Sequence, residues 1–157
     1  MDTDFEFLTS IYQNCQTAIQ SIENIESATQ SEELRSELRE EKEHYQSFAN
    51  KCIANNTEDK KLPDNNLFEK AKLWTSIKMT TLTNKSTRHI AEMMLIGTVM
   101  GTLQCYKDLA DYKEADAKYI GLCEELQNME EQHFNNLKNF LKSDIVNDNQ
   151  EESQSSE

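Results

Sequence analysis

The sequence predicts an all-α fold, a four-helix bundle with one long crossover, and three observations carry that reading. Only 3 glycines and 1 proline occur in 157 residues, too few to punctuate a turn-rich β fold. Apolar residues recur at spacings of three and four along four separate stretches, the period of a helix with one buried face. Two pairs of stretches are joined by short turns, and a long polar link separates the pairs. A chain of this length makes one domain with a real core.

The first helix is expected over about residues 4–28, with Thr3 and Glu6 as a capping box. Its buried stripe is Phe5, Leu8, Tyr12, Cys15, Ile19 and Ile22. A second cap, Thr29 with Glu32, follows almost at once, so helices 1 and 2 form an antiparallel hairpin. Helix 2, about 31–54, buries Leu34, Leu38, Glu41, Tyr45, Phe48 and Cys52. Residues 54–66 read as a loop, in which Pro63 opposes helix continuation. Periodicity resumes with Leu67, Ala71, Trp74 and Ile77. A single helix from there to residue 112 would be about 69 Å long, too long for this domain. The expectation is therefore a short extra helix over 67–83 and helix 3 over about 86–112. Helix 3 carries the stripe His89, Glu92, Ile96, Val99, Leu103, Tyr106 and Ala110. Helix 4, about 116–142, buries Tyr119, Leu122, Cys123, Leu126, Met129, Glu130, His133, Phe134, Leu137 and Leu141. The bundle thus spans 1–142, and the acidic tail 143–157, lacking apolar content, is expected to be disordered.

A formal net charge of -13 opposes binding to nucleic acid or anionic membranes, since no basic stripe exists to engage phosphate. The acidic start M-D-T-D-F-E-F is unlike a signal peptide, and no apolar run is long enough for a membrane span. The expected location is the cytoplasm. Cys15, Cys52, Cys105 and Cys123 are widely spaced on or beside apolar stripes and read as buried free thiols. Nothing in the sequence identifies a small-molecule substrate or a catalytic residue.

The chain has 3 histidines, and each stands three residues from a glutamate: Glu41/His44, His89/Glu92 and Glu130/His133. On a helix that spacing puts carboxylate and imidazole on one face. Glu41 in particular takes a position that the repeat otherwise gives to core residues. An ionised carboxylate buried there costs several kcal/mol unless a cation, a hydrogen-bond network or a proton compensates it. Inward-facing Glu and Glu-x-x-His on neighbouring helices are how a bundle builds a two-metal carboxylate site. With helices 2 and 3 parallel, Glu92, His133, Glu41 and Glu130 lie roughly 9 to 18 Å along the bundle. His89 and His44 bracket them at about 5 and 20 Å. A plain up-down order would move Glu92 and His89 to roughly 27 and 32 Å. Crossover topology therefore suits a shared site.

With its pairs and its crossover, the chain resembles the ferritin-like superfamily, whose ligand pattern is Glu, Glu-x-x-His, Glu, Glu-x-x-His over four helices. More narrowly, I-Y-Q-N-C-Q (11–16), S-T-R-H-I-A-E-M-M (86–94) and G-T-V-M-G (97–101) look like a group of small bacterial ferritin-like proteins. The resemblance implies a ferritin-like bundle with non-haem iron or manganese held by Glu41, His44, Glu92, Glu130 and His133. Zinc suits the same donors. It also implies redox or oxidative-stress chemistry, with the metal as the reactive centre. The chain departs from the pattern in two places. Helix 1 has no acid at the matching depth, where Gln20 is the nearest polar stand-in, and His89 adds a ligand in reverse order. The alternative is a metal-free bundle serving as a structural or dimerisation module, through the Trp74 helix or a groove at Gly97 and Gly101. A homo-oligomer, such as a dimer, fits either reading.

Overall fold

The computed structural model describes residues 2–64 and 86–155, which contain four helices. They are α1 (Asp2–Glu26), α2 (Glu32–Asn55), α3 (Thr87–Asp111) and α4 (Ala117–Ser155). The short helix expected over 67–83, with Trp74, lies outside the described residues. α4 runs on to Ser155, past residue 142 where the apolar pattern ends. No glycine or proline interrupts that stretch of backbone.

Side-chain pairs fix the helix directions. Ser10 of α1 bonds Asp108 of α3, while Asn14 bonds the carbonyl of Gly101, so α1 and α3 are antiparallel. His44 meets His133, Lys51 meets Glu125, and Tyr119 reaches the carbonyl of Asn55, so α2 and α4 are antiparallel. The short connections make α1/α2 and α3/α4 antiparallel hairpins. It follows that α2 and α3 are parallel, and the connection between them joins opposite ends of the bundle. Where α2 ends, Lys60 sits over the Phe5 ring and the Gln13 amide donates to the Pro63 carbonyl, drawing that connection back along α1.

Helix ends follow from local chemistry. Ser31, in extended conformation, caps α2 by accepting the Leu34 N–H at 3.2 Å, and Glu32 and Glu33 favour the same end. The cap expected at Thr29 is therefore two residues early. Thr29 is buried and instead closes α1, donating its hydroxyl to the Ile25 carbonyl. The box expected at Thr3 is displaced too, since α1 is already helical at Asp2. Ser86 caps α3, and Asp116 accepts the Lys118 N–H at the start of α4.

The core is built by Phe7, Leu8, Ile11 and Ile22 of α1, Leu34 and Leu38 of α2, Ile90 of α3, and Leu126 and Leu137 of α4. All six residues of the expected α2 stripe are buried. α3 is turned the other way from expectation. Its buried residues are Ile90, Ala91, Met93, Met94, Leu95, Thr98, Cys105 and Asp108, whereas Ile96, Val99, Leu103 and Tyr106 face outward. The helix is apolar on both sides, so spacing alone does not select the buried one. The four cysteines are buried and unpaired. No described helix is long and apolar enough to cross a membrane. Because Ser31 satisfies a free amide that nothing else reaches, Ser31→Ala should lower stability by about 1 kcal/mol, read as a fall in the urea midpoint at unchanged slope. An unchanged midpoint would remove Ser31 as the cap.

Candidate functional site

α2 and α4 face each other through the Glu41 stripe and the Glu130/His133 stripe. Antiparallel pairing sets position 41 against 133 and position 45 against 130. The three ionisable residues there are nearly inaccessible: Glu41 and Glu130 are 1% exposed and His133 is 2% exposed. His133 Nδ1 lies 3.7 Å from Glu41 Oε1, and its Nε2 lies 3.1 Å from His44 Nδ1. The two imidazoles are stacked, with centroids 5.4 Å apart, and the Tyr45 ring meets His133 edge-on. His44 is half-exposed, with Glu40 Oε1 3.9 Å from its Nε2. Glu41, His133, His44 and Glu40 therefore form a line from the core to the surface.

Glu130 stands beside this line in a pocket of neutral donors. The Tyr45 hydroxyl and the Cys105 thiol each approach its carboxylate at 3.4 Å. The Asn14 amide faces it as well, while donating to the Gly101 carbonyl at 2.9 Å. Gly101 is needed for this approach, since a Cβ there would fall 2.1 Å from Glu130 Oε2 and 3.0 Å from Asn14 Oδ1.

Glu41 is supported quite differently. Neither its Oε2 nor His133 Nδ1 has a hydrogen-bond partner, although both are buried. The bond between the imidazoles carries one proton. With that proton on His133 Nε2, the bare Nδ1 lone pair faces a carboxyl oxygen. Two acceptors then confront each other, and only a proton or a cation between them makes the arrangement tolerable. Burial pushes the Glu41 carboxyl up to about 10, helped by a side-chain hydrogen bond with half-buried Glu37 and by the like charge of Glu37 and Glu40. Burial also raises Glu130, to about 8, against the pull of its donors. The same burial, with His44 beside it, lowers His133 to about 4. Tyr45 and Cys105 are raised too, so both remain protonated donors.

Of the six candidate ligands, the fold brings together Glu41, His44, Glu130 and His133. His89 and Glu92 stay apart from them: their side chains are 37% and 62% exposed, 4.0 Å from one another on the outside of α3. Two causes separate them. Cys105 and Gly101 stand level with Glu130, so Glu92 lies at least nine residues, roughly 13 Å, along α3. Moreover, α3 buries its other face. Gln20 is half-buried further along α1, and the polar residue at the level of Glu130 is Asn14. Asn14, Tyr45, Cys105 and Gly101 were all missed as site residues. The available signal was a polar residue inside an apolar stripe, which Asn14 provides between Ile11 and Cys15. Among the described residues, no group of three or more His, Cys, Asp or Glu side chains is placed to hold a metal ion. Comparison of the chain with family models, characterised proteins and solved structures finds no match.

These proton affinities fix a pH dependence. Unfolded, Glu41 and Glu130 ionise near pH 4.5 and His133 near 6.5. Folded, the two carboxyls keep their protons to about 10 and about 8, so the fold holds more protons than the unfolded chain above pH 6.5. Stability then falls as pH rises. Below 6.5 the neutral His133 acts in the opposite sense, which confines the clean window to pH 6.5–8. There, chelator-treated protein should lose up to about 1.4 kcal/mol per pH unit for each carboxyl, and Glu41→Gln should remove one share. Denaturant titrations across the window measure it, and a stability that is flat or rises with pH would contradict it.

Proposed function

We propose that the protein is a ferritin-like helical bundle that takes up one divalent transition-metal ion, iron or manganese, between α2 and α4. The observation that carries this reading is the pair of buried polar atoms without hydrogen-bond partners, Glu41 Oε2 and His133 Nδ1, on facing helices. A carboxylate oxygen and a neutral imidazole nitrogen suit iron, manganese or zinc. The 3.7 Å between His133 Nδ1 and Glu41 Oε1 is within reach of one ion, at about 2.0–2.2 Å from each. Glu41 and His133 would hold the ion, with Glu37 as the nearest further carboxyl. Iron or manganese there would supply one-electron redox chemistry.

The chain's own contributions follow from the geometry. Glu41 gives up its proton when a cation replaces it, which makes uptake favour higher pH. Tyr45, edge-on to His133, holds the imidazole plane, and His44 gives the displaced proton a path toward solvent. Glu130 is already served by neutral donors and supplies charge beside the site. The parallel α2 and α3 agree with the ferritin-like resemblance. The exterior position of Glu92 and the neutral Asn14 on α1 favour one ion over the two-metal arrangement of that superfamily. Four unpaired cysteines suit a reducing, cytoplasmic setting.

Anaerobic purification, loading with Fe(II), Mn(II) or Zn(II) in turn, desalting and elemental analysis test the proposal. The expectation is about one retained ion per chain, with release of about one proton at neutral pH in buffers of different ionisation enthalpy. Glu41→Gln and His133→Gln should lose the ion while remaining helical, and Glu92→Gln should keep it. Wild type that retains no ion, or the same retention in all three variants, would leave a metal-free bundle as the reading.

A further inference from the structure

Five of the six large apolar side chains exposed among the described residues belong to α3. They are Ile96 (48%), Val99 (50%), Met100 (46%), Leu103 (56%) and Tyr106 (52%). Single exposed apolar residues are ordinary, but a contiguous stripe of several hundred Å² marks a surface made to be covered. Gly97 lies beside the stripe, and a Cβ there would meet nothing within 4 Å, so another backbone has room to approach. Gly101 contributes nothing to this face, because it is turned inward against Glu130.

What covers the stripe follows from its charges. Exposed residues on this side of α3 fall at Arg88, Glu92, Ile96, Val99, Met100, Leu103, Tyr106, Lys107, Ala110 and Asp111. The charged ones are placed symmetrically, Arg88 and Glu92 toward one end and Lys107 and Asp111 toward the other. At 100° per residue these ten positions occupy one side of the helix. Laid antiparallel on a copy of itself about a point between Val99 and Met100, the helix sets Ile96 against Leu103 and Val99 against Met100. It also sets Glu92 against Lys107 and Arg88 against Asp111, every charge opposite one of the other sign. An interface about a two-fold axis must be complementary to itself, and the charges and central apolar positions of this face are. Two bases and two acids also leave the face neutral, on a chain whose formal charge is -13. The face itself therefore adds no like-charge repulsion between copies. An unrelated partner would not require this symmetry of charge.

We propose that α3 is the two-fold interface of a homodimer, packed antiparallel against α3 of a second copy, with the axis between Val99 and Met100. In that dimer Glu92 pairs with Lys107 of the second copy, a structural role for a residue that the sequence suggests as a metal ligand. The proposal is independent of metal binding, and its test uses metal-free protein.

Sedimentation equilibrium of the full chain is expected to give a dimer. Leu103→Asp, at an exposed position, should retain its helical circular dichroism and become a monomer. The register is tested by charge exchange. Glu92→Lys alone and Lys107→Glu alone each place like charges opposite one another and should weaken the dimer about tenfold or more. Glu92→Lys combined with Lys107→Glu restores opposite pairs and should recover the wild-type constant to within about threefold. Monomeric wild type at tens of micromolar would overturn the proposal. So would a dimer unaffected by Leu103→Asp, or a double variant no tighter than the single ones.

Discussion

Glu41 and His133 sit buried at core positions of facing helices, where Glu41 Oε2 and His133 Nδ1 have no hydrogen-bond partner. A carboxylate left ionised there would cost several kcal/mol, a large part of what holds a domain of this size together. The fold meets that demand by holding a proton on Glu41 and keeping His133 neutral. The proposed function rests on exchanging that proton for a cation. His44 matters for the same reason, as it links the buried imidazole to the half-exposed edge of α2.

The two buried acids of this layer are not equivalent, and the difference lies in the other helices. Glu130 receives α1 through Asn14, α2 through Tyr45 and α3 through Cys105, and Gly101 makes room for it. It is a structural acid that ties four helices together with neutral donors. A second such node lies toward one end, where Asp108 accepts from Ser10 at 2.6 Å and from Gln104 at 2.9 Å. Satisfied networks of this kind specify which helices pack together, because any other register strands a polar group. Glu41 lies outside both networks.

How much of this the sequence discloses depends on how polarised each helix is. α2 and α4 carry one apolar face each, so Glu41, Glu130 and His133 stand out as polar residues in buried stripes, and the fold buries all three. α3 is apolar on both faces, so spacing does not choose between them, and the stripe expected inside, through His89, Glu92 and Ile96, is the outer one. Parallel α2 and α3 agree with the crossover expected from the long link. The depth of α3 was not legible, because it depends on where Asn14, Gly101, Cys105 and Glu130 interlock across three helices. Helix ends slipped by a residue or two where several serines and threonines competed to cap, as at Thr29 and Ser31. Of the residues that match the ferritin-like pattern, this fold keeps Glu92 away from the buried acids, and with it His89, which departs from that pattern.

The protonation of Glu41 and His133 in metal-free protein is the most direct measure of whether the α2–α4 layer is the site described. Carbon-13 and nitrogen-15 NMR of the two side chains, followed from pH 5 to 8, resolves it. The account predicts a Glu41 carboxyl still protonated at neutral pH and a His133 ring that stays neutral throughout, its proton on Nε2. An ionised Glu41 at pH 7, or a His133 that titrates near its ordinary value of 6.5, would contradict it.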